Sequence, residues 1–250
     1  MMAKKKSRTN VYKDLVVASN PKSSFSEAIK SVKTNILFSS VDKELKMILV
    51  TSPDSGDGKS FTVANLAAAF GQDSKKVLVI DGDLRRGRQH EIFNIPNHVT
   101  EGYSNAILRF RDAESYNMVG FININAYIKE TPLKNVFLLP AGPTPPNPLE
   151  LLSSMSNKRI LEKLRTQFDV ILLDCPPVLG LSDALVMSKY SDANIVVVSD
   201  NETKIDQLEG VKENFEKVNS KITGVIINKA KLKSSSYSSY YADKYYTNKK

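Results

Sequence analysis

Six apolar runs of strand length dominate the chain: KMILVTS, KVLVID, NVFLLPAG, FDVILLD, ANIVVVS and ITGVIIN. They are apolar in continuous succession rather than alternately, which is the pattern of a strand covered on both faces. Helical patterns lie between them. FTVANLAAAFG predicts a helix stopped by Gly71, and further helices fall near 149–165, 182–190 and 204–218. This alternation predicts an α/β fold, a doubly wound and mostly parallel sheet with helices on both faces and right-handed crossovers. Two regions stand outside the rhythm. Residues 24–38 predict a helix with Ser24 and Glu27 spaced as a capping box and Phe25, Ile29, Val32 and Ile36 on one face. The segment 88–135 shows no clear periodicity.

Composition excludes several classes. The 250 residues suffice for one large domain, and 41% apolar with 25% charged residues is ordinary for a globular protein. No apolar run approaches the length of a membrane span, and the basic start MMAKKKSRTN leads into no apolar segment, so it does not read as a secretory signal. Cys175, the sole cysteine, excludes an internal disulfide framework and fits a reducing cytosol, where it reads as a small packed residue. With only His90 and His98 beside it, zinc is a poor expectation. The net charge of +8 is concentrated at the ends, which reads as solvated termini or attraction to an anionic membrane or acidic partner. No nucleic-acid recognition module is visible, so no nucleic-acid partner is expected.

Three stretches carry chemistry. TSPDSGDGKSFTVANLA lies between a strand and a helix and holds the second half of a phosphate loop: Gly56, Asp57, Gly58, Lys59, Ser60 and Phe61. Glycines let backbone N–H groups close on phosphate oxygens while the helix N-terminus adds its dipole. Lys59 would reach the outer phosphates and the Ser60 hydroxyl would ligate magnesium. Pro53 stands where the strict motif has its first glycine. KVLVIDGDLRRGRQ places Asp81 and Asp83 just past a buried strand, and FDVILLDCPP ends another strand in Asp174. Aspartates at strand ends are often mere turn residues, but the carboxyl edge of a doubly wound sheet is also where ligands bind. Arg85, Arg86 and Arg88 either steady phosphate, bind a neighbouring subunit or are simply solvated. Asn228 either reads an adenine edge or just ends its strand.

Together these stretches resemble the Walker A, Walker A′ and Walker B motifs of the bacterial tyrosine kinases that control capsule and exopolysaccharide synthesis. DGDLRRG is the most specific part, and EAIKSVKTNILFSS, LPAGPTPPNPLELLSS, LSDALVMSKYSDANIVVV and TGVIINK extend the resemblance over roughly 24 to 246. It implies a P-loop fold with ATP and Mg²⁺ as cofactors, Mg²⁺ being held by Ser60, Asp81 and Asp174. Catalytic roles would fall to Lys59, Asp81 and Asp83; Asp81 is favoured as base and metal neighbour. Asn228 would join the nucleotide-binding set.

The tail from Ser234 to Lys250 holds five of the ten tyrosines: Tyr237, Tyr240, Tyr241, Tyr245 and Tyr246. So few aliphatic residues cannot offset ordering entropy, so disorder is expected there. The resemblance makes these tyrosines the enzyme's own substrates, phosphorylated in trans. The organisation expected is a flexible basic N-terminus over 1–23, a kinase domain over 24–233 and the tyrosine-rich tail over 234–250. Expected partners are a separate transmembrane activator acting through its cytoplasmic tail, a cognate tyrosine phosphatase, and further copies of the chain. The chain would be cytoplasmic, held at the inner membrane face by its activator.

Self-association is expected through Glu27, Lys30 and Lys33, where the family pattern has two arginines and their bidentate forks. The competing reading is a partitioning or division-site ATPase of the same superfamily. Those carry a second lysine five residues before the phosphate-loop lysine, where this chain has Asp54.

Overall fold

A computed structural model describes residues 13–40, 44–95, 101–115 and 123–230. Its sheet has seven strands: β1 Met47–Thr51, β2 Val77–Asp81, β3 Lys129–Glu130, β4 Val136–Leu139, β5 Val170–Asp174, β6 Ala193–Ser199 and β7 Gly224–Asn228. The order is β3-β4-β2-β5-β1-β6-β7, and every pairing is parallel except that of β3 with β4. Each continuous apolar run of the sequence thus supplies one parallel strand. β1, β2, β5 and β6 are buried along their whole length, as unbroken runs require. Each Leu, Ile or Val fully buried there contributes about 1.5–3 kcal/mol.

Two helical layers cover the sheet. On one face lie α1 Val16–Ser19, α2 Ser24–Phe38 and α3 Lys59–Gln72, with α4 Gln89–Ile92 beside them. On the other lie α5 Tyr103–Ser115, α6 Pro148–Ser153, α7 Met155–Arg165, α8 Asp183–Met187 and α9 Ile205–Lys217. α3 is buried on nearly all sides, and its small residues Ala64, Ala67 and Ala68 let it lie close to the strands. A 3₁₀ turn, Ile124–Tyr127, precedes β3.

Several local expectations need correction. The N-cap of α2 is Ser23, whose Oγ accepts from the Ser26 amide at 3.1 Å, not Ser24. Ser26 competes successfully because its own hydroxyl is buried and donates to the Asn20 carbonyl at 2.7 Å. α3 runs one residue past Gly71, which is a close-packing glycine rather than a stop: a Cβ there would lie 2.7 Å from Val136 Cγ2. The helix expected over 149–165 is two, broken at Ser154. The expected flexible stretch 1–23 is shortened from its C-terminal side, because Leu15 and Val17 are fully buried and α1 packs on α3. Within 88–135, α4, α5 and β3 all escaped the periodicity reading. The tail 234–250 lies outside the described residues.

Candidate active site

The chain leaves β1 toward β2, whereas it leaves the adjacent β5 toward β6 on the opposite side. A crevice therefore opens above the carboxyl ends of these strands. An open cleft of about 920 Å³ occupies it, lined among others by Gly56, Gly58, Lys59, Ser60, Asp83 and Arg86.

The loop between β1 and α3 is shaped by its own side chains. Asp54 Oδ1 accepts from the Ser55 amide at 2.7 Å, and Asp57 Oδ2 accepts from the Asp54 amide at 3.1 Å. Asp54 thus helps build the turn. Gly56 and Gly58 have φ of +93° and +88°. At Gly58 a Cβ would stand 2.0 Å from Asn228 Nδ2, so glycine is required for both conformation and space. α3 begins at Lys59 with no side-chain cap and no acid in its first turn, which leaves its amide donors for an anion.

Asp81 and Asp174 are register partners on β2 and β5 and are 0% and 1% exposed. Asp81 Oδ2 accepts from the Gln89 amide at 2.9 Å, and Asp174 Oδ2 accepts from Gln89 Nε2 at 2.8 Å. The Oδ1 atom of each is buried and has no hydrogen-bond partner among the described residues. Burial pushes the Asp81 carboxyl well above the usual range, with Asp174 and Asp83 adding repulsion and the Gln89 amide and Lys59 opposing it. Burial raises Asp174 too, opposed by Lys59, the Ser60 hydroxyl and Gln89. Asp83 sits higher, on the cleft wall. Its Oδ1 accepts from the Arg85 and Arg86 amides at 3.2 and 2.9 Å, and its Oδ2 lies 3.9 Å from Lys59 Nζ. Three carboxylates thus face one lysine. Two free buried carboxylate oxygens beside a serine hydroxyl are the donor set of a hard divalent cation that takes its remaining ligands from phosphate and water, so the residues fit Mg²⁺.

Not every expected residue meets the cleft in the same way. Phe61 lines it but also packs on Phe25, ring centroids 5.3 Å apart. Asn228 Nδ2 donates to the Asp57 carbonyl at 2.8 Å and so braces the phosphate loop from β7. Arg85 leans on the buried Asp183, Nε to Oδ2 3.4 Å, and Arg88 pairs with Glu91 at 3.1 Å. Cys175 is buried, its thiol pushed well up by desolvation, which fits the packing role. Gln89 and Thr203, whose hydroxyl contacts Asp57 Oδ1 at 3.3 Å, were not foreseen. Neither carries a sequence signal: Gln89 opens the four-residue α4, too short to show a period, and Thr203 is a single polar residue in the loop before α9.

A glycine loop with no room for a Cβ at Gly58, opening an uncapped helix over a topological switch point, is the construction of a P-loop nucleotide-binding domain. A family model described as an AAA domain matches residues 45–230. The chain is 35% identical to the tyrosine-protein kinase YwqD of Bacillus subtilis over 244 residues, 97% of this chain and 98% of that protein. The crystal structure of the chimeric protein CapA2B2 matches with a TM-score of 0.78 at 33% identity, covering 87% of this chain and 90% of that one. The septum site-determining protein MinD of Pyrococcus horikoshii shares the fold alone, at 23% identity and a TM-score of 0.57 over 73% of this chain and 69% of that one. The chain belongs to the bacterial tyrosine-kinase family.

Proposed function

We propose that this chain is an ATP-dependent protein-tyrosine autokinase that regulates capsular or exopolysaccharide synthesis and phosphorylates its own C-terminal tyrosine cluster in trans. The observation that carries the reading is the pair of buried carboxylates, Asp81 and Asp174, tied through Gln89 to Ser60 of the phosphate loop, next to a cleft of about 920 Å³. In this reading the loop amides and Lys59 bind and orient the outer phosphates. Asp81, Asp174 and Ser60 would hold Mg²⁺, which supplies charge neutralisation on those phosphates when bound. Transfer to tyrosine then rests on positioning and electrostatics. A phenol with an ordinary pKa of about 10 must lose its proton as it attacks. The proton acceptor in this reading is Asp81, as the resemblance implies, with Asp83, which lines the cleft, as the alternative.

Tyr237, Tyr240, Tyr241, Tyr245 and Tyr246 lie outside the described residues. The tail that bears them follows β7, whose last residue touches the phosphate loop. Twenty residues, 231–250, cannot reach further than roughly 70 Å. A transmembrane activator, a tyrosine phosphatase and attachment to the inner membrane face complete the proposal. Among the described residues no helix is long and apolar enough to cross a membrane.

Self-association is proposed through the helix bearing Glu27, Lys30 and Lys33. In the single chain, Glu27 and Lys30 pair at 2.8 Å and Lys33 pairs with Asp73. The exposed Leu37 and Phe38 at the end of the same helix add apolar surface for a second copy.

A mixing experiment tests the trans reaction. Full-length Lys59→Met is combined with active enzyme truncated after Lys233, and tail peptides are read by mass spectrometry. Tail labelling in the mixture is expected. Its absence, with each partner confirmed folded and the wild type active, overturns the reading.

A further inference from the structure

Gln89 touches every part of the cation site at once. Its backbone N–H donates to Asp81 Oδ2 at 2.9 Å. Its side-chain Nε2 donates to Asp174 Oδ2 at 2.8 Å and to the Ser60 carbonyl at 3.0 Å. The residue is fully buried and opens α4 after a loop that comes down onto Asp81 only because residue 87 is glycine: a Cβ there would lie 2.8 Å from Asp81 Oδ2 and 2.6 Å from the Ala141 Cβ. The consequence is a division of labour among four oxygens. The Oδ2 atoms of both aspartates are taken by one residue, and the Oδ1 atoms of both are left buried and unpartnered among the described residues.

From this arrangement we infer that Gln89 is a positioning residue for the metal site. It fixes the rotamers of Asp81 and Asp174 so that their two free oxygens face one point, and it ties that point to the phosphate loop through Ser60. Such outer partners of ligating carboxylates orient them and raise metal affinity. Fixing the carboxylates through both outer oxygens removes the alternative in which either turns to satisfy itself elsewhere. The three contacts differ in kind. The one to Asp81 comes from the backbone and survives any side-chain replacement. The one to Asp174 depends wholly on the amide. The one to the Ser60 carbonyl depends on the same amide, so substitution at 89 acts on the metal through Asp174 and through the tie to the phosphate loop, not through Asp81. The inference rests on the reading of this cleft as a Mg²⁺-nucleotide site.

Calorimetry with Mg²⁺ and electron paramagnetic resonance with Mn²⁺ test it, both in the presence of a non-hydrolysable ATP analogue. Wild type must first bind the ion with the analogue; if it does not, the reading of the cleft itself fails. Gln89→Met keeps length and volume without a donor, and Gln89→Asn keeps the amide one methylene short. Each is expected to weaken metal affinity by about 10–100-fold while metal-free binding of the analogue stays near wild type, which also shows that the variant is folded. In Asp174→Asn enzyme, adding Gln89→Met is expected to cost clearly less than it does in the wild type, because the contact the two residues share is already lost and only the tie to Ser60 remains. Wild-type metal affinity in both single variants, or full additivity in the double variant, overturns the inference.

Discussion

At the scale of single residues, burial decides what each charge can do. Lys59 lines the cleft rather than the apolar core, and its charge acts on Asp83, Asp81 and Asp174 from there, so its loss should spare the fold. Lys59→Met is expected to melt like wild type and to lose tyrosine labelling by at least about 10²–10³-fold; mass spectrometry after incubation with Mg²⁺-ATP measures it. Asp81 and Asp174 behave differently because burial raises both pKa values. Between the unfolded value of about 3.9 and the raised folded values, the native state binds more protons than the unfolded chain. Stability from this pair is therefore fullest below that window and falls as pH rises through it. Without metal, Asp81→Asn should flatten this fall and be more stable than wild type at neutral pH, although inactive. Urea melts across a pH series check this, and a less stable variant at neutral pH would count against the account.

At the scale of elements, the strands were legible and several helix ends were not. A strand buried on both faces must be apolar throughout, and that demand wrote β1, β2, β5 and β6, and nearly so β4, into the sequence. β7 is as apolar but lies at the sheet edge, with Val225 and Ile227 exposed, so two-face burial does not account for it. The two-residue β3 carries no such demand, being paired on one side only. α5 buries Tyr103, Ala106, Ile107 and Phe110, which stand at i, i+3, i+4 and i+7, so a short helical stripe was present in a segment without clear periodicity over its whole length. The break at Ser154 also needed the structure. Its hydroxyl donates to the Leu151 carbonyl at 2.7 Å and accepts from the Asn157 amide at 3.2 Å, ending α6 and starting α7 at one residue. Ser154→Ala should lower stability by about 1 kcal/mol, readable in denaturant midpoints with an unchanged slope. The candidate site was legible wherever a motif fixed its spacing, at Gly56, Lys59, Asp81 and Asp174. Gln89 was not, because what places it is the fit of Gly87 against Asp81.

At the scale of the whole molecule, the described tyrosines outside the tail are expected to be poor substrates because they are buried or partly buried. Tyr103 and Tyr127 are 0% and 5% exposed, and Tyr190 packs against the larger core. Truncation after Lys233 should leave ATP binding intact and remove nearly all labelling. Persistent labelling would direct attention to Tyr12 and Tyr116, which lie outside the described residues.

The bond from Asn228 to the phosphate loop fixes where that tail originates. A substrate segment rooted at one active site meets any site within its reach at an effective concentration set by chain length and assembly geometry, not by the amount of protein in solution. As long as copies stay together, labelling per molecule should be indifferent to dilution. A rate that begins to fall on dilution would then mark the concentration at which the copies part.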